Sequence, residues 1–600
     1  MKKTTAFSLV TNAILFTASV VLPLSTSAAI VMTNQGSDWT DATRQLYYRQ
    51  DQGSRIMPLK WMQALKQDNG KPFMARSLSR YGYLPNANSK VPNVPVGFTV
   101  AAEKSGEQSI GMTCSACHTR QIDVSGTSYR IDGGPALSDM QGFMADLDHA
   151  VDTILNNSTA FTEFATSVLG HTPTQPEADA LRTDVSDWFL PYHTLVEKAL
   201  PTQSPWGVGR LDAVSMIFNR LTGLDIGQAP SYLIPENIKV ADVPVRYPFL
   251  WNASIQDYTQ WPGFSPNGNR LLGLARNIGE VYGVFAQFHP KKAVSGLLNM
   301  NYIAENSANF AGLNGQEELI MKLAAPKWPF ALNKKLAAAG AKVFNKPDPS
   351  ADNLSCADCH GIKDGEFRSF SEKTWATPIV DVGTDSKEIG LLGYEVKTGV
   401  MKGATILPTD EPLKSVDKAI SVLARASEGA IIQHYFPVVL TTPGQVGIDL
   451  LAQLTADFGT AVSSVEQDLG GFGTLEDLLG FSDGANASAD NADSTTPSYA
   501  YESRVLEGVW AVAPYLHNGS VPTLAELLTP AKERVATFKI GSAYDIKNVG
   551  LATKQTKPNF TLKTTDCSDR NSGNSRCGHE YGTGFSKKEK TALLEYLKSL

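Results

Sequence analysis

Two Cys-x-x-Cys-His pentapeptides constrain this chain more than any other feature: Cys114-Ser115-Ala116-Cys117-His118 and Cys356-Ala357-Asp358-Cys359-His360. The spacing puts two thiols on one side of a short turn with an imidazole directly after them. That is the attachment signature of c-type haem, in which both sulfurs bond the porphyrin edge and the histidine becomes an iron ligand. The chain has six cysteines, and four of them belong to these motifs, which makes a double coincidence implausible. A zinc site or a thioredoxin-like dithiol would read differently, with further ligands nearby or a βαβ setting. The expected cofactors are therefore two covalently bound haem c groups, held by Cys114, Cys117 and His118 and by Cys356, Cys359 and His360.

Covalent haem of this type and oxidised thiols both belong outside the cytoplasm, and the N-terminus agrees. Lys2 and Lys3 precede an apolar run from Ala6 to Leu24, and the small residues Ser27, Ala28 and Ala29 follow. Residues 1–29 read as a signal peptide, with an uncleaved anchor as the alternative. The mature protein is expected to be periplasmic or secreted, without membrane insertion. In that compartment the remaining pair, Cys567 and Cys577, reads as a disulfide. The net charge of −7 is spread along the chain with no basic patch, which argues against nucleic acid as a partner.

Each iron needs a decision at its sixth position, because an open position permits oxygen or peroxide chemistry and a closed one favours electron transfer. Outside the two motifs the histidines are His149, His171, His193, His289, His434, His517 and His579, and every methionine falls at or before Met401. A ligand for the second haem drawn from the C-terminal segment is therefore a histidine. His579, two residues after Cys577, is the first choice, and Met401 and His517 are the alternatives.

With 600 residues, more than one domain is expected. Leu336, Gly340, Val343 and Phe344 recur at helical spacing, with Asn333 placed to cap and Pro347 to terminate. Ser586 and Glu589 form a capping box before Leu593, Tyr596, Leu597 and Leu600. A helix before the haem motif that crosses a final helix through a glycine is the packing of cytochrome c domains. The expected fold is thus mostly α, with two cytochrome-c-like haem domains, long loops and insertions. The N-terminal haem domain is placed at 30–330 and the C-terminal one at 331–600, the latter including a polar, loop-like stretch, Asp483–Pro497. No matching helix precedes the first motif, so the first domain must be built differently. Tyr247–Phe264 is rich in aromatics, for which core packing is the plain reading. Glu280 follows in apolar surroundings, either as a helix-end partner of Arg276, which position favours, or as a desolvated acid–base group.

The mature chain resembles the di-haem cytochrome c peroxidase superfamily, and most closely its rubber-oxygenase-like branch. The resemblance is carried by QGSRIMP (Gln52–Pro58), GMTCSACHTRQI (Gly111–Ile122), YRIDGGPAL (Tyr129–Leu137), the second haem motif, APYLHNGSVPTL (Ala513–Leu524) and CGHEYG (Cys577–Gly582). It implies that the haem on His118 is the reactive one and the haem on His360 a low-spin relay closed by His579. Peroxidase-type members carry a tryptophan in a W-x-G setting between the haems and a distal glutamate some way on. Trp261 and Glu280 fit those places and become the candidate catalytic residues, one for electron hopping and one for proton movement. The resemblance would also allow a calcium ion. The partners it implies are a small redox protein or other electron donor, and peroxide or dioxygen.

Three functions stand at this point. The first is a peroxidase-like oxidoreductase. The second is a dioxygenase cleaving a hydrophobic alkene such as polyisoprene, for which an acidic group over the reactive iron would be out of place. The third is a non-catalytic electron carrier, which gives no reason for two haems in unlike frames.

Overall fold

The structure is a computed structural model that describes residues 30–103, 105–293, 298–349, 351–365, 374–406, 411–435, 500–556 and 560–600. The predicted leader and the Asp483–Pro497 stretch lie outside the described residues.

The first haem motif is held between two β-hairpins. Strand β1 (Ile30–Met32) lies at the N-terminus, β2 (Phe98–Ala102) and β3 (Gln108–Met112) pair antiparallel, and β4 (Thr119–Val124) pairs antiparallel with β5 (Thr127–Asp132). β1 adds to β5 in parallel, Ile30 opposite Ser128. The chain leaves β3, makes the single helical turn Cys114–Cys117 and enters β4. Asp132, at the end of β5, accepts hydrogen bonds from Trp39 Nε1 at 2.8 Å, Arg44 Nε at 2.7 Å and Tyr48 Oη at 2.6 Å, which fixes the sheet to the N-terminal segment. The first motif is thus framed by strands, with no helix before it that matches the one preceding the second motif.

Three helices follow: α1 (Met140–Asn156), α2 (Ser158–Leu169) and α3 (Gln175–Ala199). α1 buries Met140, Phe143, Met144, Leu147, Val151 and Ile154, the three- and four-residue spacing of one apolar face. α3 starts at a Thr174–Glu177 capping box. A second group contains α4 (Arg270–Gly283), α5 (Phe310–Met321) and, later in the chain, α7 (Ala419–Tyr435). Between them, α6 (Lys334–Phe344) precedes the second haem motif, and α8 (Lys587–Leu597) closes the chain.

α6 and α8 cross as expected. Asn333 caps α6 by accepting from Leu336 N, and Ser586 with Glu589 caps α8. A Cβ added at Gly340 would come within 2.0 Å of the Ala592 carbonyl oxygen, so only glycine permits this approach. Val343, Phe344, Leu593 and Leu597 are buried at the crossing. They belong to an apolar cluster that also contains Ile122, Ile131, Phe249 and Trp251, so residues on both sides of position 330 share one core. Helix supplies the long elements, and no strand among the described residues exceeds six residues. No described helix is long and apolar enough to cross a membrane.

Candidate haem sites

His118 leaves the turn of the first motif with its Nδ1 hydrogen-bonded to the Pro248 carbonyl at 2.8 Å, while its own carbonyl accepts from Tyr47 Oη at 2.7 Å. Tying up Nδ1 fixes the tautomer and leaves the Nε2 lone pair for iron. Burial pushes the imidazole down to about 4, so it is neutral, which is the ligating form. Gln52 clasps the motif from outside: its Nε2 donates to Cys114 Sγ at 3.0 Å, and its Oε1 accepts from Cys114 N at 3.2 Å. Among the described residues the ring beside His118 is Tyr247, with centroids 6.0 Å apart, rather than a second imidazole.

Glu280, on α4, lines a cavity with Gln260, Phe218, Phe264 and Leu423. Its carboxylate accepts from Gln260 Nε2 at 3.1 Å. Desolvation raises it above the usual glutamate value, partly offset by the positive charge of Arg276, and its own charge acts on both Cys114 and Cys117. The ion pair favoured from sequence is corrected here. Arg276 Nη2 pairs with Glu317 at 2.7 Å, and Asn277 Nδ2 donates to the same carboxylate at 3.1 Å. Glu317 reaches from α5, a contact that helical spacing within α4 could not show. Glu280 is left as the desolvated carboxylate facing the cavity.

The second motif begins at a capping box in which Ser355 and Asp358 satisfy each other's backbone. His360 Nδ1 bonds the Arg504 carbonyl at 2.8 Å, repeating the arrangement at His118. A largely apolar cavity opens over the motif, lined by Cys356, Cys359, His360, Phe249, Leu528 and His579 among others. The rings of His360 and His579 lie 6.0 Å apart across it. A metal about 2 Å from each of two facing imidazole nitrogens sets their centroids roughly 6 Å apart. His579 Nδ1 is buried without a hydrogen-bond partner, and burial with the neighbouring His360 pushes the ring down to about 3.

The loop that presents His579 is fastened at several points. Cys577 is disulfide-bonded to Cys567, as the spacing predicted. Arg534 donates from Nη1 to the carbonyls of Arg576 and Gly578, both at 2.8 Å, and from Nη2 to that of His579 at 3.1 Å. Gly578, at φ +77, packs so tightly on Gly383 and Thr384 that a Cβ would meet their backbone at 2.3 Å. The two alternatives are placed elsewhere. Met401 is buried in the apolar cluster around α4 and α7. His517 lines the cavity but stacks on Tyr501 at 4.0 Å.

Trp261 also lines the cavity of the second motif, with Nε1 donating to the Arg246 carbonyl at 3.1 Å and the guanidiniums of Arg246 and Arg504 at 4.6 and 4.7 Å from its ring. Its neighbour Gln260 holds Glu280 in the other cavity. Gln260, Arg246 and Arg504 were not singled out from sequence, and Gln52 entered only as the first residue of QGSRIMP, with no role at the haem motif. Arg504 follows the Tyr501–Glu502 strand with no motif of its own, while Gln260 could have been found as the residue next to the tryptophan.

Both motifs fit haem on the donor set, paired thiols and a neutral imidazole with its outer nitrogen engaged, and the second also has a largely apolar cavity around it. Among the described residues no group of three or more His, Cys, Asp or Glu side chains is arranged to hold a bare metal ion.

Known proteins match this chain at two levels. A family described as RoxA-like, cytochrome c-like matches residues 500–539. That segment supplies Tyr501, Arg504 and His517 to the cavity around His360. The uncharacterized protein y4iJ of Sinorhizobium fredii (strain NBRC 101917 / NGR234) is 27% identical, over 94% of this chain and 92% of its own length. From the same organism, the uncharacterized protein y4iM is 40% identical over 14% of this chain and 21% of its own length. A cytochrome c-like domain implies covalently bound haem c, and the match supports a relationship to RoxA-like di-haem cytochromes and an oxidoreductase-like function.

Proposed function

We propose that the chain is an exported di-haem c-type cytochrome acting as a peroxidase-like oxidoreductase, with electrons entering at the His360 site and used at the His118 site to reduce peroxide or dioxygen. Bound haem supplies a one-electron couple at each site and, where a coordination position is open, a place for an oxygen ligand. The protein's own residues divide the work. His360 and His579, whose rings lie 6.0 Å apart, would both hold the group bound at the entry site, which suits electron transfer. His118 offers one imidazole, held by Pro248. Trp261, in the wall of the entry cavity, serves as a stepping stone for electrons leaving it, and the flanking guanidiniums hold its ring in place. Glu280 would hold or return a proton at its carboxylate for that chemistry, helped by a raised proton affinity. Reduction of one peroxide to two waters takes two electrons and two protons, and the electrons come from a small redox protein or similar donor.

The observation that carries this reading is the Gln260–Trp261 step, where one residue holds Glu280 in one cavity and the next lines the other. A second reading, dioxygenase cleavage of a hydrophobic alkene, is favoured by the apolar lining of the Glu280 cavity, which includes Val214, Ile217, Phe218, Phe264 and Leu423. Peroxide turnover with a reduced small cytochrome, set against oxygen uptake on polyisoprene latex, decides between them. Peroxide turnover without oxygen uptake is the expected result; the reverse would replace the first reading with the second.

A further inference from the structure

Arg246 has two further arginines close enough to act on it, and all three are at least nine-tenths buried: Arg120, two residues after His118, Arg246 itself and Arg504. Arg504 has an anion, Glu502, 3.4 Å from its Nη2, and Glu388 also acts on it. The other two do not. Arg246 donates from Nε to the Leu516 carbonyl at 2.9 Å, and its Nη1 is buried without a partner. Arg120 donates from Nη1 to the Pro135 carbonyl at 3.2 Å, and its Nε and Nη2 are likewise unpartnered.

No carboxylate among the described residues acts on either group. The ionisable neighbours of Arg120 are the phenols Tyr515 and Tyr544; those of Arg246 are Tyr515 and two more cations, Arg504 and Arg120. Both phenols are themselves held protonated by burial. Desolvation pushes Arg246 down to about 9. Buried like charges without counter-ions are strongly unfavourable, and a guanidinium does not escape by losing its proton at physiological pH. An anion from outside the described residues is required.

We propose that Arg246, backed by Arg120, is a carboxylate seat for the propionate groups of the porphyrin bound at Cys356 and Cys359. Arg246 lines the cavity that also presents Cys356, Cys359 and His360, so the carboxylates arrive with the occupant of that cavity. The planar guanidinium suits a carboxylate through paired N–H donors, and such charge-assisted bonds are the strong ones. The seat rests on the reading of two attached haems. It gives the buried arginines a purpose beyond holding Trp261, because a cation kept beside the iron disfavours its oxidised state.

The test uses the exported full-length holoprotein, with midpoint potentials read by potentiometric titration of the visible bands. Arg246→Met should lower the potential of the low-spin haem, Arg120→Met should shift it in the same direction by less, and Arg246→Lys should stay near wild type. An unshifted potential in Arg246→Met, with intact mass showing two haems, overturns the seat and leaves the proposed function standing. Wild-type protein whose mass lacks the second haem overturns the reading beneath it. A wild-type potential that follows chloride concentration assigns the seat to an inorganic anion and also overturns the proposal. If Arg246→Met does not fold, redox-difference infrared spectra of wild type carrying haem with 13C-labelled propionate carboxyls give the answer. Ionised carboxylate bands at neutral and mildly acidic pH support the seat, and protonated ones contradict it.

Discussion

At the scale of single residues, the two attachment histidines are in the same condition and their opposite faces are not. Each engages Nδ1 with a backbone carbonyl, Pro248 for His118 and Arg504 for His360. Only His360 faces a second imidazole, His579. His579→Gly should convert the second haem from low-spin to high-spin with the first unchanged, read by near-infrared magnetic circular dichroism; retention of the low-spin band would move the ligand to His517. Glu280→Gln removes the proton acceptor but keeps the contact with Gln260, so peroxide turnover should fall by about 10²–10⁴-fold, the usual worth of a general acid–base group. The pH dependence follows from the direction of its shift. Desolvation favours the protonated form, so activity that needs the carboxylate is lost as pH falls through a value above the ordinary 4.5. Glu280→Gln should abolish that acidic limb, which a pH profile of kcat/KM would show.

At the scale of elements, much of the C-terminal packing was legible because it is local. The Asn333 cap, the Ser586–Glu589 box and the apolar spacing of α6 and α8 each depend on residues within a few positions of one another. Gly340→Ala should destabilise the holoprotein by about 1–3 kcal/mol, since the added methyl meets the backbone of α8 rather than a flexible side chain. Guanidinium unfolding followed at the haem bands would measure it, and an unchanged midpoint would contradict this account of the crossing. Replacing Cys567 and Cys577 by serine should lower stability by about 2–4 kcal/mol. It should also loosen the His579 loop, seen as partial high-spin character in the second haem, although Arg534 still grips three carbonyls there. What the sequence did not disclose was tertiary. The acceptors of the attachment histidines lie 130 and 144 positions away, and the partner of Arg276 is on another helix. No period or motif links such positions.

For the molecule as a whole, the haem motifs come from distant parts of the chain but meet around a shared core. Ile122 and Ile131 from the first frame and Val343, Phe344 and Leu593 from the second lie in one apolar cluster. The segment 246–249 touches both motifs: its carbonyl at Pro248 reaches His118, and its Phe249 ring lies 5.5 Å from the guanidinium of Arg504, whose carbonyl holds His360. The two motifs therefore have unlike surroundings, which is what the proposed passage of electrons from an entry point to a reaction point needs. Electron paramagnetic resonance of the fully oxidised, exported protein, with spins counted per polypeptide, tests that claim most directly. Two inequivalent signals of one spin each are predicted: a bis-imidazole low-spin species, and a high-spin or weakly ligated one. A single spin per chain, or two superimposable low-spin signals, would contradict it.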